Sequence, residues 1–200
     1  MIVIDVETTG LDPQRNSIVS VGAVDFSNPT NQFYLENRIS DGAEVVEAAL
    51  KVNGFTLEGV IDLHKPSLEG AIKRFLAWAR LIHDQTLAGE NPSFDRSFVQ
   101  AAILRYGLKY TFGHRVVDLH SISYAHVTGC GEAIPLRNNR TNIDTNWILG
   151  YVGIGPEPKP HNALTGAKME AEAFSRLIHG RVLLDEFSHL SVPSYLKRSA

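Results

Sequence analysis

The hydrophobic positions begin in strand-type runs and pass, from about Ala43, into helical spacing. Met1 to Val6 is a short apolar run rich in β-branched residues, which predicts a buried strand. Thr8-Thr9-Gly10-Leu11-Asp12-Pro13 reads as a turn. Ile18, Val19, Val21, Ala23, Val24 and Phe26 predict a second strand, and Asn31 to Arg38 a third. Short connections between these three imply an antiparallel meander. Ala43 to Val52 then predicts a helix stopped by Gly54. Ser67 to His83 predicts another, with Leu68, Ile72, Phe75, Leu76, Ala79 and Ile82 on one face. Thr86 to Glu90 is a fourth strand, Ser93 to Tyr106 a helix ended by Gly107, and Arg115 to Leu119 a fifth strand. Helices about Leu119–His126, Ile143–Val152 and Asn162–His179 complete the pattern. Strands first, then alternating helix and strand, give an α/β fold: a mixed five-stranded sheet with helices on both faces.

Two hundred residues suffice for one such domain and its core, so a single domain over 1–200 is expected, with a core of about 1–180 and a tail over 181–200. The last residues, Lys197 to Ala200, are expected to fray. Thr128 to Thr145, polar and rich in glycine and asparagine, reads as a solvated loop whose length also suits a binding segment; Arg137 and Arg140 are its positive charges. No apolar stretch approaches the length that crosses a bilayer. A single cysteine, Cys130, leaves no internal disulfide, and a first strand starting at Met1 leaves no room for a signal peptide. The expectation is a cytoplasmic chain. A net charge of −3 disfavours broad coating of duplex nucleic acid, yet it is compatible with threading one strand end into a site where divalent cations offset phosphate charge.

Three short motifs carry chemistry. Asp5 and Glu7, two apart on the first strand, present two carboxylates on one face, which repel unless a cation lies between them. Taken alone, the pair could equally be solvated acids at a strand end. Asn91-Pro92-Ser93-Phe94-Asp95 follows a strand directly and opens a helix, which aims Asp95 at the strand ends; a capping role is the alternative, although Asn91 and Ser93 can cap as well. Phe94 can serve the core or stack on a base. His161 follows the stiff Gly155-Pro156-Glu157-Pro158-Lys159-Pro160, and a histidine beside metal can take a proton from water. The other seven histidines have no such setting.

Together these residues resemble the DEDDh family of 3′–5′ exonucleases, which includes the proofreading subunit of bacterial DNA polymerase III, ribonuclease T and oligoribonuclease. Ile4-Asp5-Val6-Glu7-Thr8-Thr9-Gly10-Leu11 is similar to the first motif, Asn91 to Asp95 to the second, and His161-Asn162-Ala163-Leu164 to the start of the last. The resemblance runs from Met1 to about Leu177. It implies a ribonuclease H-like fold and hydrolysis of single-stranded 3′ ends with two Mg²⁺ or Mn²⁺ ions, DNA slightly favoured over RNA. It also implies metal ligation by Asp5, Glu7 and Asp95, and water activation by His161. Thr8 and Leu11 would contact the terminal nucleotide, with Asn91 and Phe94 as further candidate substrate contacts.

One position departs from the family. Its last motif reads His-x-Ala-x-x-Asp, and this chain has Gly166 at the aspartate. Glycine supplies no ligand and weakens a helix by about 1 kcal/mol relative to alanine. An altered site with a substitute ligand, a catalytically dead descendant and an engineered inactive variant all fit that change. Glu170, one helical turn on, is the natural substitute ligand, the alternative being an exposed helix acid; Glu172 faces elsewhere. The expected activity is therefore a metal-dependent 3′–5′ exonuclease, and the rival reading is a nuclease-like module that binds nucleic acid or protein without cutting.

Overall fold

The computed structural model describes residues 1–197, so Arg198, Ser199 and Ala200 of the expected frayed end lie outside the described residues. The predicted meander is present. β1 (Ile2–Thr8) pairs antiparallel with β2 (Ile18–Asp25), and β2 pairs antiparallel with β3 (Gln32–Glu36). β4 (Leu87–Gly89) and β5 (Val117–Asp118) extend the sheet in parallel on the other side of β1, giving the order β3-β2-β1-β4-β5. The carboxyl ends of the parallel strands β1, β4 and β5 thus open at one edge, where α/β folds hold ligands.

Helices cover both faces, and the alternation of β1 explains why. Ile2, Ile4 and Val6 join a core with α3 (Leu68–Ala79) and α4 (Pro92–Arg105), while Val3 turns to the opposite core with α5 (Leu119–Gly129), α6 (Thr145–Tyr151) and α7 (Ala163–His179). Asp5 and Glu7 share the parity of Val3 and so lean to the α7 side. That helix seats closely: a Cβ at Gly22, the register partner of Asp5 on β2, would overlap the backbone of Ala163 and Leu164. Only glycine allows this approach.

Three local expectations change. The first helix, α1, runs Glu47–Asn53 rather than from Ala43, because Val46 N–H is taken by Thr9 C=O and ties the preceding chain to the turn after β1. A short α2 (Leu57–Ile61) follows, capped by Thr56. The stretch 128–145 is not wholly loop. It contains a hairpin of β6 (Leu136–Arg137) and β7 (Arg140–Thr141), turned by Asn138 and Asn139, both at positive φ (51° and 60°) as a tight primed turn requires. The chain beyond 180 is packed as far as it is described: Leu184 and Leu196 are buried, and Arg176 donates to the carbonyls of Phe187, Leu190 and Ser191.

Candidate active site

Asp5, Glu7, Asn91, Phe94, Asp95, His161 and Glu170 all line one cleft of about 310 Å³ at the carboxyl edge of the parallel strands. Asp95 arrives there because β4 stops at Gly89. β1 continues past the end of β4, so Val6 N–H has no strand partner there, and Asp95 Oδ1 accepts it at 2.9 Å. The residue is 4% exposed. Neither cap candidate caps by its side chain: Asn91 holds the N-cap place through a left-handed backbone (φ 52°), and Ser93 lies inside the helix. Asn91 N–H is instead held by Asp118 Oδ1 at 3.2 Å, at the end of β5.

α7 brings Gly166 and Glu170. Glu170 is not the exposed acid of the alternative reading: it is 7% exposed and its Oε2 has no hydrogen-bond partner. That oxygen lies 3.1 Å from where a Cβ on Gly89 would be, so Glu170 borders the end of β4. Glu172, two residues on, faces away and pairs with Arg176. Gly166 faces Asp5 directly, and a Cβ there would overlap Asp5 Oδ2. His161 is fixed by its N–H to Val52 C=O (3.0 Å) and sets Nδ1 3.5 Å from Glu157 Oε2.

Three acids in the lining were not singled out from the sequence. Asp144 caps α6, accepting from Trp147 N–H, and Glu90 follows β4 immediately, a strand-end position that could have flagged it. Glu157 stands in the proline-rich segment, where no periodic pattern marks an inward residue. The cleft therefore holds seven carboxylates and one histidine, and among its described lining residues no lysine or arginine.

The charges respond as crowded acids must. Burial, then the charges of Asp95, Glu7 and Glu157, raise the Asp5 carboxyl well above the usual range, partly offset by the Val6 N–H. Burial and Glu157 push Glu7 up to about 7. Burial raises Asp95 to about 7 against two backbone N–H groups. Glu170 is raised well above its usual value by burial and by Asp5 and Asp95. Burial also raises Glu157, with His161 acting the other way. Among the described residues no three acids or histidines already close around one point as ligands. The donor chemistry nonetheless fits hard divalent cations: carboxylate oxygens, two of them buried without partners (Glu157 Oε1 and Glu170 Oε2), and no internal counter-charge.

Beside the cleft, sharing Val6, Glu7 and Phe94 with it, lies a more apolar pocket. Thr8, Leu11, Val46, Ala49 and Val52 contribute to its walls, so both residues expected to meet a terminal nucleotide stand next to the acids. Leu11 is 83% exposed, an apolar side chain left free at the rim.

A family profile described as Exonuclease (RNase_T) matches residues 2–174. The chain belongs to this exonuclease family. The protein named 3′–5′ DNA exonuclease Cap18 from Escherichia coli is 32% identical over 183 residues, covering 88% of this chain and 89% of that one. Ribonuclease T of Haemophilus influenzae (strain PittEE) is 28% identical over 209 residues, 95% of this chain and 84% of the relative. The PolC-type DNA polymerase III of Thermotoga maritima is 27% identical over 177 residues, 88% of this chain but 12% of the polymerase, so the chain spans a small part of that relative's length. Among solved structures, the nuclease domain of 3′hExo, described as a DEDDh family member bound to rAMP, superposes with a TM-score of 0.67 at 17% identity, covering 92% and 93% of the two chains. Escherichia coli exonuclease I in complex with a dA16 oligonucleotide gives 0.64 at 15% identity, over 90% of this chain and 40% of that one. The exonuclease resemblance and the ribonuclease H-like fold are both borne out.

Proposed function

We propose that the protein is a metal-dependent 3′–5′ exonuclease acting on single-stranded ends, with DNA preferred to RNA. The observation that carries this is the cleft of seven acids, with no lysine or arginine among its described lining residues, next to a more apolar pocket. The 32% identity to a relative named a 3′–5′ DNA exonuclease supports both the direction and the preference.

In this reading Asp5, Glu7, Asp95 and Glu170 hold two Mg²⁺ or Mn²⁺ ions, which would offset phosphate charge and lower the pKa of a bound water. His161 accepts the proton of the attacking water, and Glu157 beside Nδ1 stabilises the imidazolium that results. Leu11, Val46 and Phe94 exclude water around the terminal base, while Thr8, whose hydroxyl donates to Gly10 C=O, keeps the turn rigid at its edge. Asn91 stands at the cleft wall for the sugar–phosphate of the strand.

Labelled single-stranded DNA and RNA incubated with Mn²⁺ or with EDTA test this. Stepwise 3′ shortening that requires metal and disappears in Asp5→Ala is expected. Binding of the strand without shortening in either metal would instead establish the non-cutting module that Gly166 suggests.

A further inference from the structure

Gly166 carries no carboxylate, yet the volume it vacates is bordered by two. A Cβ on Gly166 would overlap Asp5 Oδ2 and stand 3.4 Å from Glu157 Oε1. Glu157 reaches this place from the proline-rich segment, not from α7. The path of that segment is fixed at both ends: Glu157 N–H donates to Asn146 Oδ1 at 3.1 Å, and His161 N–H to Val52 C=O at 3.0 Å. The Glu157 side chain is 8% exposed although its neighbours Pro156 and Pro158 are exposed. Its Oε1 is buried without a partner, and its Oε2 lies 3.5 Å from His161 Nδ1. A carboxylate turned from water into a group of acids is costly unless a cation meets it.

We propose that Glu157 supplies the carboxylate that Gly166 lacks, holding a divalent cation together with Asp5 and Glu7 and orienting His161 through its second oxygen. This rests on the metal-dependent reading above and assigns the two candidate substitutes to different sides. Glu157 borders the gap at Gly166 together with Asp5, whereas Glu170 borders Gly89 at the end of β4. The glycine follows from this arrangement, since any side chain at 166 would displace the Asp5 carboxylate from its place beside Glu157.

Calorimetric titration of the full metal-free chain with MnCl₂ tests the assignment, alongside metal-free thermal melting and cleavage of a labelled strand. Glu157→Gln should weaken Mn²⁺ binding by roughly 10-fold or more, the loss that even an outer partner of a metal ligand causes. Its metal-free melting temperature should not fall, because one like charge has been removed from the cluster. Gly166→Asp alone should bring no gain in affinity, because Asp5 and Glu157 already occupy the volume. Combined with Glu157→Ala, which opens space beside Gly166 into which the Asp5 carboxylate can shift, it should restore affinity toward that of the parent. Parent-like Mn²⁺ binding by Glu157→Gln, with or without a lowered melting temperature, overturns the proposal. A double variant binding no better than Glu157→Ala overturns the shared place of the two positions. If Glu157→Gln loses Mn²⁺ but the parent never shortens a strand, the exonuclease reading falls and the role of Glu157 stands. A parent that binds no Mn²⁺ overturns both.

Discussion

Glu170 and Glu172 lie two residues apart on α7, both buried, and are treated by the fold in opposite ways. Glu172 is fully satisfied. Its Oε1 accepts Arg176 Nε at 2.7 Å, and its Oε2 accepts the N–H groups of Leu183 and Leu184 at 2.8 and 3.0 Å. Arg176, itself 0% exposed, spends its remaining donors on carbonyls of Val152, Gly153, Phe187, Leu190 and Ser191. Glu170 has an oxygen without a partner and lines the cleft together with Asp5 and Asp95. A buried acid with both oxygens matched serves the architecture. One surrounded by its own kind is set for a ligand.

The comparison breaks first, and by the largest margin, at the paired end. Arg176→Leu leaves Glu172 buried and uncompensated and should cost about 3–5 kcal/mol of stability in urea unfolding, whatever metal is present. A loss near zero would show that the last segment does not depend on this pair. At the unpaired end, His161→Asn should leave unfolding unchanged and slow metal-dependent cleavage by about 10²-fold or more. Cleavage within a few-fold of the parent would remove His161 from the proposed mechanism.

Acidity sharpens the contrast without mutation. Glu7 and Asp95 have ordinary values of 4.5 and 3.8 and are pushed to about 7 in the folded chain. The folded state therefore binds more protons than the unfolded one through that window, and stability falls as pH rises from about 4 through about 7. Melting in EDTA across this range should show the decline, and saturating Mg²⁺ or Mn²⁺ should flatten it. A flat profile in EDTA would mean the acids are not crowded in solution. The smallest effect is expected from Glu170→Gln without metal, where unfolding should shift by no more than about 1 kcal/mol, upward if at all. With metal, the same variant should cleave measurably more slowly.

What could be read from the sequence followed from periodicity and local chemistry. The meander, α3, α4 and α7 show their apolar spacing openly, and Asp5, Glu7, Asp95 and His161 stand in motifs whose order survives in one dimension. Glu170 could be placed because a helix fixes which residue lies one turn on. Glu157 could not, because a proline-rich segment has no repeat to say which side chain turns inward. The hairpin at Asn138-Asn139 did carry a signal, two residues that tolerate positive φ, but its strands of two residues each gave no alternation to confirm it. The packing of 181–197 depends on carbonyls accepting from Arg176, and backbone acceptors leave no trace in side-chain pattern.

Gly22 belongs to β2, which contributes no group to the cleft, yet it determines how deep the cleft is. Because the start of α7 rests directly on its bare Cα, the spacing between sheet and helix at Asp5 is as small as a backbone contact allows. A methyl group there would overlap the backbone of Ala163 and Leu164 and act as a shim, lifting the turn that carries His161 and Gly166 away from β1 by roughly 1 Å. Displacements of that size, far below what unfolds a protein, can cost catalysis on the order of 10²-fold. The working tolerance of this site is thus set one strand away from its chemistry, by an atom the chain leaves out.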